Sequence, residues 1–368
     1  MLFYIGLISG TSADAIDAAL VSFHTDQTIR LEHFQEQTYP QTIKNKIAEM
    51  RSPEAQFSLK EIAELDIALG KLFAGSANQL IASAKIDREK IMAIGSHGQT
   101  IFHAPDGLHP FSIQLGDPNT ISSITGLTTI ADFRRMDIAA GGQGAPLVPG
   151  FHGALFRNKE KTRIILNLGG IANITLLPAL PDQPIIGFDT GPADALMDDW
   201  ILFNLGESFD RDGQWGKRGN MIPDLLNKML RDDYFLKEPP KSTGREYFNL
   251  EWLNKKIKPD VYRPEDVQAT LQHLTVQSVV KAIESLNSDV NEVIVCGGGA
   301  RNTHIIKLLS DALSRISVKT TADFGISPDC IEAMAFAWLA KRRLGNLPGN
   351  IPSVTGAKKA VLLGGIYG

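Results

Sequence analysis

The sequence predicts an α/β protein built from two domains. Apolar runs typical of buried strands alternate along the chain with longer segments of helical periodicity, which favours the α/β class. The length of 368 residues is large for one simple core and suits two domains. A strand, a glycine-containing turn and a second strand occur twice, in IGLISGTSADAIDAAL and in ILNLGGIANITLL. This repeat indicates two halves of related topology.

The first half is predicted to be rich in strands. Leu59 to Ile86 has the apolar spacing of a long helix, and Asp117 is placed to cap a short helix toward Ile124. The predicted strands are Phe3–Ile8, Ile16–Phe23, Ile29–Thr38, Ile91–Ser96, Phe111–Leu115 and Thr128–Asp132.

The second half begins again with a strand and adds more helices. Its predicted strands are Arg163–Leu168, Ile171–Leu177, Glu292–Cys296 and Ser317–Thr321. Its predicted helices are Ala193–Asn204, Ile222–Leu230, Pro264–Leu286 and Pro328–Leu344. We place the crossover near residues 132–137, so that one domain spans 1–132 and the other 133–345. The C-terminal tail, 346–368, is predicted to pack back on the first domain.

Composition excludes several classes of function. Hydrophobic residues make up 43% and charged residues 21%, and the net charge of −4 gives no reason to expect nucleic acid or an anionic membrane as a partner. Only two cysteines are present, which suits a reducing cytoplasm and provides neither a disulfide framework nor a zinc motif. No apolar run is long enough to span a bilayer, and we interpret MLFYIGLISG as a first strand rather than a signal peptide.

Four turns rich in glycine or hydroxyl residues are candidates for binding phosphate: Gly10–Ser12, Gly141–Gly144, Gly169–Gly170 and Gly297–Gly299. Successive backbone N–H groups in such turns form nests for phosphate oxygens, although a single glycine turn is more often structural. Neither GxxxxGK[ST] nor a GxGxxG that opens a helix is present. The set therefore predicts a nucleotide held between two domains by another architecture.

Asp14 and Asp17 follow the first of these turns. Next to phosphates such carboxylates suit Mg²⁺, directly or through its waters. The alternative is that they are solvent-facing carboxylates of a hairpin turn.

One carboxylate, Asp189, lies in the stretch GFDTGP after an apolar run that is typical of the end of a buried strand. Gly187, Gly191 and Pro192 predict a sharp turn around it. A carboxylate at such a position is well placed to be a general base. The alternative is that Asp189 caps the helix predicted from Ala193.

Other polar residues fit a substrate pocket. His97 and His103 have no third partner at metal-binding spacing, so hydrogen bonding in a pocket or loop is favoured over zinc. Arg134 and Arg135 suit an anionic group, because the guanidinium fork matches a carboxylate, but one of them is equally well explained as a surface ion pair. Glu332 begins an otherwise apolar helix and is either a cap or a site residue.

Nine segments together resemble the anhydro-N-acetylmuramic acid kinase family. They occur in the family's order over nearly the whole chain: GTSADAID, SHGQTIFH, QLGDP, DFRRMDIAAGGQGAPLVP, LNLGGIANIT, GFDTGP, STGREYFN, VCGGGARN and IEAMAFAWLA. The family belongs to the superfamily of hexokinase, the heat-shock ATPases and actin. The resemblance implies a two-domain actin-like ATPase (ribonuclease H-like) fold that closes an interdomain cleft over ATP, and a homodimer.

The resemblance also implies the reaction. ATP phosphorylates O6 of 1,6-anhydro-N-acetylmuramic acid while water opens the anhydro bridge at C1, which gives N-acetylmuramic acid 6-phosphate and ADP in peptidoglycan recycling and amino-sugar catabolism. Asp189 matches the family's catalytic aspartate and would deprotonate that water.

Binding residues are predicted for each ligand. The predicted ATP-binding residues are Gly10, Thr11, Ser12, Ala13, Asp14, Ala15, Ile16, Asp17, Gly169, Gly170, Gly297, Gly298 and Gly299. The predicted sugar-binding residues are His97, Arg134, Asp137 and Glu332, and Asp14 is the predicted contact to Mg²⁺.

Two positions depart from the family pattern. Ala15 replaces a usual glycine, and a methyl group there crowds the loop unless its φ is negative. Asp194 replaces a usual asparagine, and its charge is expected to raise the pKa of Asp189 or to repel phosphate. These departures motivate one alternative, an ATP-binding scaffold without turnover. Another alternative is a kinase or ATPase of the same superfamily with a different substrate.

Overall fold

The chain folds into two units in this computed structural model, which describes residues 1–10, 13–26, 28–52, 55–239, 241–257 and 261–368. One unit comprises Met1–Leu155 together with Cys330–Gly368, and the other comprises Phe156–Asp329. The described strands, in chain order, are β1 (Leu2–Ser9), β2 (Ala15–Phe23), β3 (Ile29–Thr38), β4 (Ile91–Ala104), β5 (Phe111–Leu115), β6 (Thr129–Ala131), β7 (Arg163–Leu168), β8 (Ile171–Leu177), β9 (Ile186–Pro192), β10 (Glu292–Cys296), β11 (Ser317–Thr320) and β12 (Gly365–Tyr367).

The helices connect these strands and cover the sheets. The described α-helices are α1 (Gln41–Met50), α2 (Leu59–Ala84), α3 (Pro118–Thr125), α4 (Arg134–Ala139), α5 (Pro149–Phe156), α6 (Asp194–Leu205), α7 (Pro223–Leu230), α8 (Asp233–Leu236), α9 (Leu250–Asn254), α10 (Pro264–Ser285), α11 (Thr303–Ala312), α12 (Ile331–Leu344) and α13 (Pro352–Thr355). Among the helices of the described residues, none combines the length and the apolar character that crossing a membrane requires.

Each unit contains a mixed β-sheet, and the strands pair in the same order in both. In the first unit the order is β3-β2-β1-β4-β6-β12, with β5 paired to β4. In the second unit it is β9-β8-β7-β10-β11. In each sheet, as ordered above, the second strand runs antiparallel to the first and to the third. The fourth and fifth strands run parallel to the third. This repeated order is that of the ribonuclease H-like fold, so the predicted fold class and the predicted strand–turn–strand repeat are confirmed.

The central strands are apolar because both of their faces are covered. Every residue of β10 is buried, as are most residues of β1, β2 and β7. Strands buried on both faces carry continuous apolar runs rather than alternating ones. Each unit therefore has its own apolar core, one around Leu69 and Phe73 of α2, the other around Leu271 and Leu274 of α10.

Helix α12 packs closely against the first sheet. A Cβ atom on Gly6 of β1 would overlap the carbonyl oxygen of Ala333, and a Cβ atom on Gly95 of β4 would overlap that of Phe336. The absence of side chains at these two glycines lets helix and strand backbones approach directly. Because of this packing α12 belongs to the first unit.

The division into units differs from the predicted domain boundaries in two segments. Residues 133–155 and 330–345, assigned from sequence to the second domain, pack with the first unit. The physical reason is the seating of α12 on β1 and β4, a contact between residues far apart in the chain. In the C-terminal tail, β12 pairs antiparallel with β6 of the first unit.

One predicted turn is a strand. β9 spans Ile186–Pro192 and pairs antiparallel with β8, so Asp189 lies in mid-strand opposite Asn173. The pairing shifts register between Ala172 and Asn173, which lets the glycine-rich segment follow its partner. Pairing with β8 outweighs the local turn preference of the glycines and the proline.

Candidate active site

Two glycine turns of the second unit meet at the carboxyl ends of β7 and β10. The carbonyl oxygens of Gly169 and Gly170 accept hydrogen bonds from Asp194 N (3.0 Å) and Ala193 N (3.1 Å), at the start of α6. Gly297, directly after β10, has a φ of 82°, and a Cβ atom there would overlap Asn167 Oδ1 of β7. Glycine is needed at this position both for its backbone conformation and for the close approach.

Asp194 lies where these turns meet α6. Its carboxylate accepts a hydrogen bond from Gly299 N–H. Burial raises the pKa of Asp194 well above its ordinary value, Asp198 raises it further, and Arg245 opposes the shift. Burial also raises the pKa of Asp198 to about 7. A carboxyl group in such surroundings favours its neutral form.

Substituting this carboxylate should change how stability depends on pH. Because the pKa of Asp194 is raised in the folded protein, its ionisation opposes folding, and the stability it contributes is lost as the pH rises from about 4. We expect Asp194→Asn to be more stable than the parent protein at pH 8, by of the order of 1 kcal/mol. Urea unfolding of both proteins at pH 4.5 and pH 8 measures this, and equal differences at the two pH values would contradict it.

Asp189 is held by three hydrogen bonds to two chain segments, α8 and the segment 241–257. Thr243 N–H donates to Asp189 Oδ2 at 3.0 Å, and the Tyr234 hydroxyl donates to the Asp189 carbonyl at 2.7 Å. Asp189 N–H donates to the carbonyl oxygen of Lys241 at 3.1 Å. Burial raises the pKa of Asp189 to about 6, while the Thr243 N–H lowers it and the charge of Glu246 raises it.

The geometry of Asp189 does not fit the capping alternative. The N-cap residue of α6 is Ala193, which makes no side-chain cap, and the Asp189 carboxylate is bonded to Thr243 instead. Burial is the largest cause of the raised pKa of Asp189, and the charge of Glu246 raises it further. Asp189 is therefore an oriented carboxylate with a pKa suited to accepting a proton near neutral pH.

Backbone hydrogen bonds lie at both ends of the first hairpin turn of the first unit. Ala13 N–H donates to the Gly10 carbonyl at 3.2 Å, and Ala13 takes the left-handed conformation with a φ of 56°. Tyr39 N–H donates to the Asp14 carbonyl at 2.9 Å. The predicted ATP-binding residues Thr11 and Ser12 lie outside the described residues.

Ala15 lies in strand β2 and is not among the described residues with a positive φ. It begins β2, where it pairs with Thr38, and the left-handed residue of this hairpin is Ala13. Ile16 is buried in β2, and Asp17 pairs with Ile8 and Glu36 across the same sheet. The positive φ under which a methyl group there would crowd the loop is therefore absent at Ala15.

Asp14 has the surroundings of a single exposed carboxylate. Its side chain is 66% exposed and lies 3.4 Å from Lys44 Nζ. Among the described residues, no group of three or more His, Cys, Asp or Glu side chains is arranged to hold a metal ion. This exposed setting matches the alternative of a solvent-facing carboxylate, and a contact of Asp14 to Mg²⁺ stays a prediction.

His97, Arg134 and Glu332 are brought together in the first unit. Arg134 Nε donates to His97 Nε2 at 3.0 Å, and Arg134 Nη1 donates to the Gly144 carbonyl at 2.8 Å. Burial lowers the pKa of His97 well below its ordinary value, so the ring is neutral and its Nδ1–H faces the Gly98 carbonyl at 3.0 Å. Burial raises the pKa of Glu332, and the charge of Arg134 opposes this.

Arg134 keeps its charge in this cluster. Burial lowers the pKa of Arg134 to about 10, with the charges of Glu332 and Asp137 opposing the shift. The guanidinium is therefore protonated at neutral pH and fixed by two neighbours. Arg135 instead pairs with Asp132 at the surface, which matches the surface ion pair expected for one of the two arginines. His103 contacts Ser112 Oγ at 2.9 Å across β4 and β5.

Asp137 holds the loop that contains Gly141–Gly144 in place and does not face a ligand. It has no exposed surface, and it accepts hydrogen bonds from Gly144 N–H (2.8 Å), Asn350 Nδ2 (2.7 Å) and Thr355 Oγ1 (2.8 Å). Because its oxygens are already bonded within the protein, direct contact with a sugar does not fit this geometry. Asp137 orders the loop whose Gly144 carbonyl binds Arg134.

Three contributors to the site were missed from the sequence. Thr243 and Tyr234 contact Asp189, and Arg245 acts on Asp194 and Asp198. Thr243 and Arg245 lie in STGREYFN, one of the segments that carried the family resemblance, so that motif was an available signal. Tyr234 lies in α8, a four-residue helix without a motif, and nothing in the sequence marked it.

The repeated ribonuclease H-like sheet, with glycine turns after its strands and an oriented carboxylate, defines a protein of the sugar kinase and ATPase class. The family model for anhydro-N-acetylmuramic acid kinase matches residues 2–368. The chain belongs to the anhydro-N-acetylmuramic acid kinase family.

Two relatives agree with this assignment over nearly their whole length. A Coxiella burnetii (strain Dugway 5J108-111) protein named anhydro-N-acetylmuramic acid kinase is 49% identical over 99% of this chain and 97% of its own. One of the same name from Pasteurella multocida (strain Pm70) is 46% identical over 100% and 97%. Among solved structures, the activator of the 2-hydroxyisocaproyl-CoA dehydratase from Clostridium difficile with bound ADPNP has a TM-score of 0.44 at 13% identity, covering 94% of this chain and 98% of that one.

Proposed function

We propose that this protein uses ATP to phosphorylate O6 of 1,6-anhydro-N-acetylmuramic acid while water opens the anhydro bridge at C1. The products are N-acetylmuramic acid 6-phosphate and ADP, as in peptidoglycan recycling and amino-sugar catabolism. The observation that carries this proposal is the match to the family over residues 2–368, since it includes every segment proposed here to carry chemistry.

Asp189 is the proposed base. It takes a proton from water as the water oxygen attacks C1 on the face opposite the bridge oxygen. The C1–O6 bond breaks, O6 attacks the γ-phosphorus, and ADP leaves. The Thr243 N–H supports the role, because it aims Asp189 Oδ2 and keeps the pKa of Asp189 from rising further.

Nucleotide-binding roles are proposed unit by unit. In the first unit they fall to the hairpin turn, Gly10–Asp17. In the second they fall to Gly169–Gly170 and Gly297–Gly299. Because the Gly297 N–H donates to the Pro328 carbonyl at 3.2 Å and the Gly299 N–H donates to Asp194, the N–H groups proposed for phosphate oxygens are those of Gly169, Gly170 and Gly298. Asp14 would contact Mg²⁺, which neutralises phosphate charge when bound.

Sugar-binding roles are proposed for His97, Arg134 and Glu332. Arg134 is cationic and fixed at two of its nitrogens, which suits it to an anionic substituent of the sugar. Neutral His97 orients Arg134, and Glu332 offers an acceptor to sugar hydroxyls. Asp137 supports this group through the loop it orders.

The pKa of Asp189 sets an expected acid limit for turnover. A general base works only when ionised, and with a pKa of about 6 it is roughly 90% ionised at pH 7. We expect kcat/KM to fall tenfold per pH unit below about pH 6. A pH–rate profile between pH 4.5 and 8.5 measures this, and a rate that is flat down to pH 4.5 would contradict the assigned base.

The reaction itself is tested by ADP release and by the mass of the sugar product. With Mg-ATP, ADP release should require 1,6-anhydro-N-acetylmuramic acid, and the product should be heavier by one phosphoryl group plus one water. A gain of phosphoryl without water would mean a plain kinase without hydrolysis at C1. ATP binding without ADP release would favour the scaffold alternative.

Two further properties are proposed from the family resemblance. A homodimer is expected, which sedimentation equilibrium tests through a mass near twice 40.1 kDa. The cytoplasm is the proposed location, consistent with the substrate's place in recycling and with a sequence that contains only two cysteines.

A further inference from the structure

A buried carboxylate, Asp232, lies at the centre of a cluster of polar side chains near β9, the strand that carries Asp189. The Asp232 side chain is 8% exposed and accepts hydrogen bonds from Tyr247 Oη (2.6 Å), Trp252 Nε1 (2.8 Å) and Lys256 Nζ (2.7 Å). It also accepts the Tyr234 N–H at 3.2 Å, at the start of α8. Four groups from two chain segments therefore converge on one carboxylate.

The charge of this carboxylate is well compensated. Burial would raise the pKa of Asp232, but the hydrogen bonds from Lys256, Tyr247 and Trp252 outweigh it and lower the pKa to about 2. Asp232 is thus ionised throughout the working pH range. A buried ion pair with complete hydrogen bonding is costly to disturb on one side only.

Both segments tied by Asp232 also contact Asp189. Tyr234, in α8, donates its hydroxyl to the Asp189 carbonyl. Thr243, which donates to Asp189 Oδ2, lies four residues before Tyr247 in the segment 241–257. The Phe248 ring packs edge-on against Tyr234 (5.4 Å) and Trp252 (5.0 Å), which joins the two segments by apolar packing as well.

We infer that Asp232 is a positioning residue for the proposed base: it ties α8 to the segment 241–257 and so holds the Thr243 N–H against the Asp189 carboxylate. The inference rests on the proposed function of Asp189. The hydrogen-bond partners of Asp232 are Tyr234, Tyr247, Trp252 and Lys256, so it acts on Asp189 through Tyr247 and Tyr234.

The substitution Asp232→Asn tests this, because the amide keeps the size of the side chain but loses the charge and one acceptor oxygen. With the Thr243 hydrogen bond weakened, we expect the pKa of Asp189 to rise by about one unit. The direct measurement is a ¹³C NMR titration of the full-length protein labelled at aspartate carboxyl carbons, with Asp189→Asn identifying the signal. Tyr234, Lys241 and Glu246, the ionisable residues nearest Asp189, stay unchanged.

Tyr247→Phe is the milder variant. It removes one hydroxyl that reaches Asp232 and keeps the ring packed on Phe248. We expect a smaller rise in the pKa of Asp189, in the same direction. This variant keeps the test decisive if Asp232→Asn does not fold.

Glu292→Gln is the matched control. Glu292 is also a buried carboxylate of the second unit, paired with Arg163 (2.8 Å) and Lys319 (3.0 Å). It begins β10, which is separated from β9 by β7 and β8 in the sheet. We expect a comparable loss of stability and no change in the Asp189 titration.

The outcomes distinguish the positioning role of Asp232 from the proposed function of the protein. An Asp189 titration that is unchanged in both Asp232→Asn and Tyr247→Phe would overturn the positioning role, whatever the loss of stability. A shift of the Asp189 titration in both variants, with no shift in Glu292→Gln, supports the positioning role. The acid limit of kcat/KM should then move in the same direction as the pKa of Asp189. Absence of sugar-dependent ADP release in the unsubstituted protein would contradict the proposed function instead, since the titration does not depend on turnover.

Discussion

Asp189→Asn is expected to abolish sugar-dependent ADP release, with a loss of at least about 10²- to 10⁴-fold, the range that a positioned general base contributes. The amide keeps the size of the side chain and its Thr243 contact but cannot take a proton from water. ATP binding should change little, because the glycine turns proposed to bind phosphate do not include this residue. Steady-state ADP release and calorimetric ATP binding measure the two effects.

Asp182→Asn is a suitable control for this variant. Asp182 lies in the exposed turn before β9, so the substitution removes the same charge from the same unit without touching the site. We expect parental activity in the control. Near-parental turnover by Asp189→Asn would remove Asp189 as the base and leave the kinase assignment to be explained by another residue.

Gly95→Ala is expected to have a large effect on folding. The added methyl group would overlap the Phe336 carbonyl oxygen of α12, and the overlapping atom belongs to backbone that cannot rotate away. Overpacking of this kind costs about 1–3 kcal/mol, occasionally more, and we expect the upper end or failure to fold. Thermal unfolding measured by circular dichroism would show a fall of several degrees or more in Tm.

The same change should disturb the proposed sugar contacts. His97 lies two residues after Gly95 in β4, its ring packs against Phe336 at 4.7 Å, and Glu332 lies in the first turn of α12. Any soluble Gly95→Ala protein should therefore show a raised KM for the sugar. A parental Tm together with a parental KM would show that α12 can move away from the sheet at little cost.

Gly75→Ala provides the opposite case. Gly75 lies in α2, and the position that an added methyl group would occupy is open space, so alanine should stabilise the helix by about 0.5–1 kcal/mol. The contrast between the two glycines isolates the close approach of α12 as the cause of the Gly95 effect.

Much of the site was visible in the sequence because its signals are local. The turns at Gly169–Gly170 and Gly297–Gly299 each join elements that are adjacent in the chain, and their strands have strong apolar patterns. Asp117 caps α3 as predicted, accepting the N–H groups of Asn119 and Thr120. Asp189 was singled out by its motif even though its backbone setting was predicted wrongly.

The sequence by itself determined the α/β class, the repeated strand–turn–strand units and the family, because each depends on short-range pattern or on motifs in order. Only the tertiary structure decided that GFDTGP is a strand, since its pairing with β8 outweighs local turn preference. It also decided that α12 joins the first sheet and that Asp137 and Asp232 hold loops in place. Those outcomes depend on contacts between residues far apart in the chain, which local propensity does not encode.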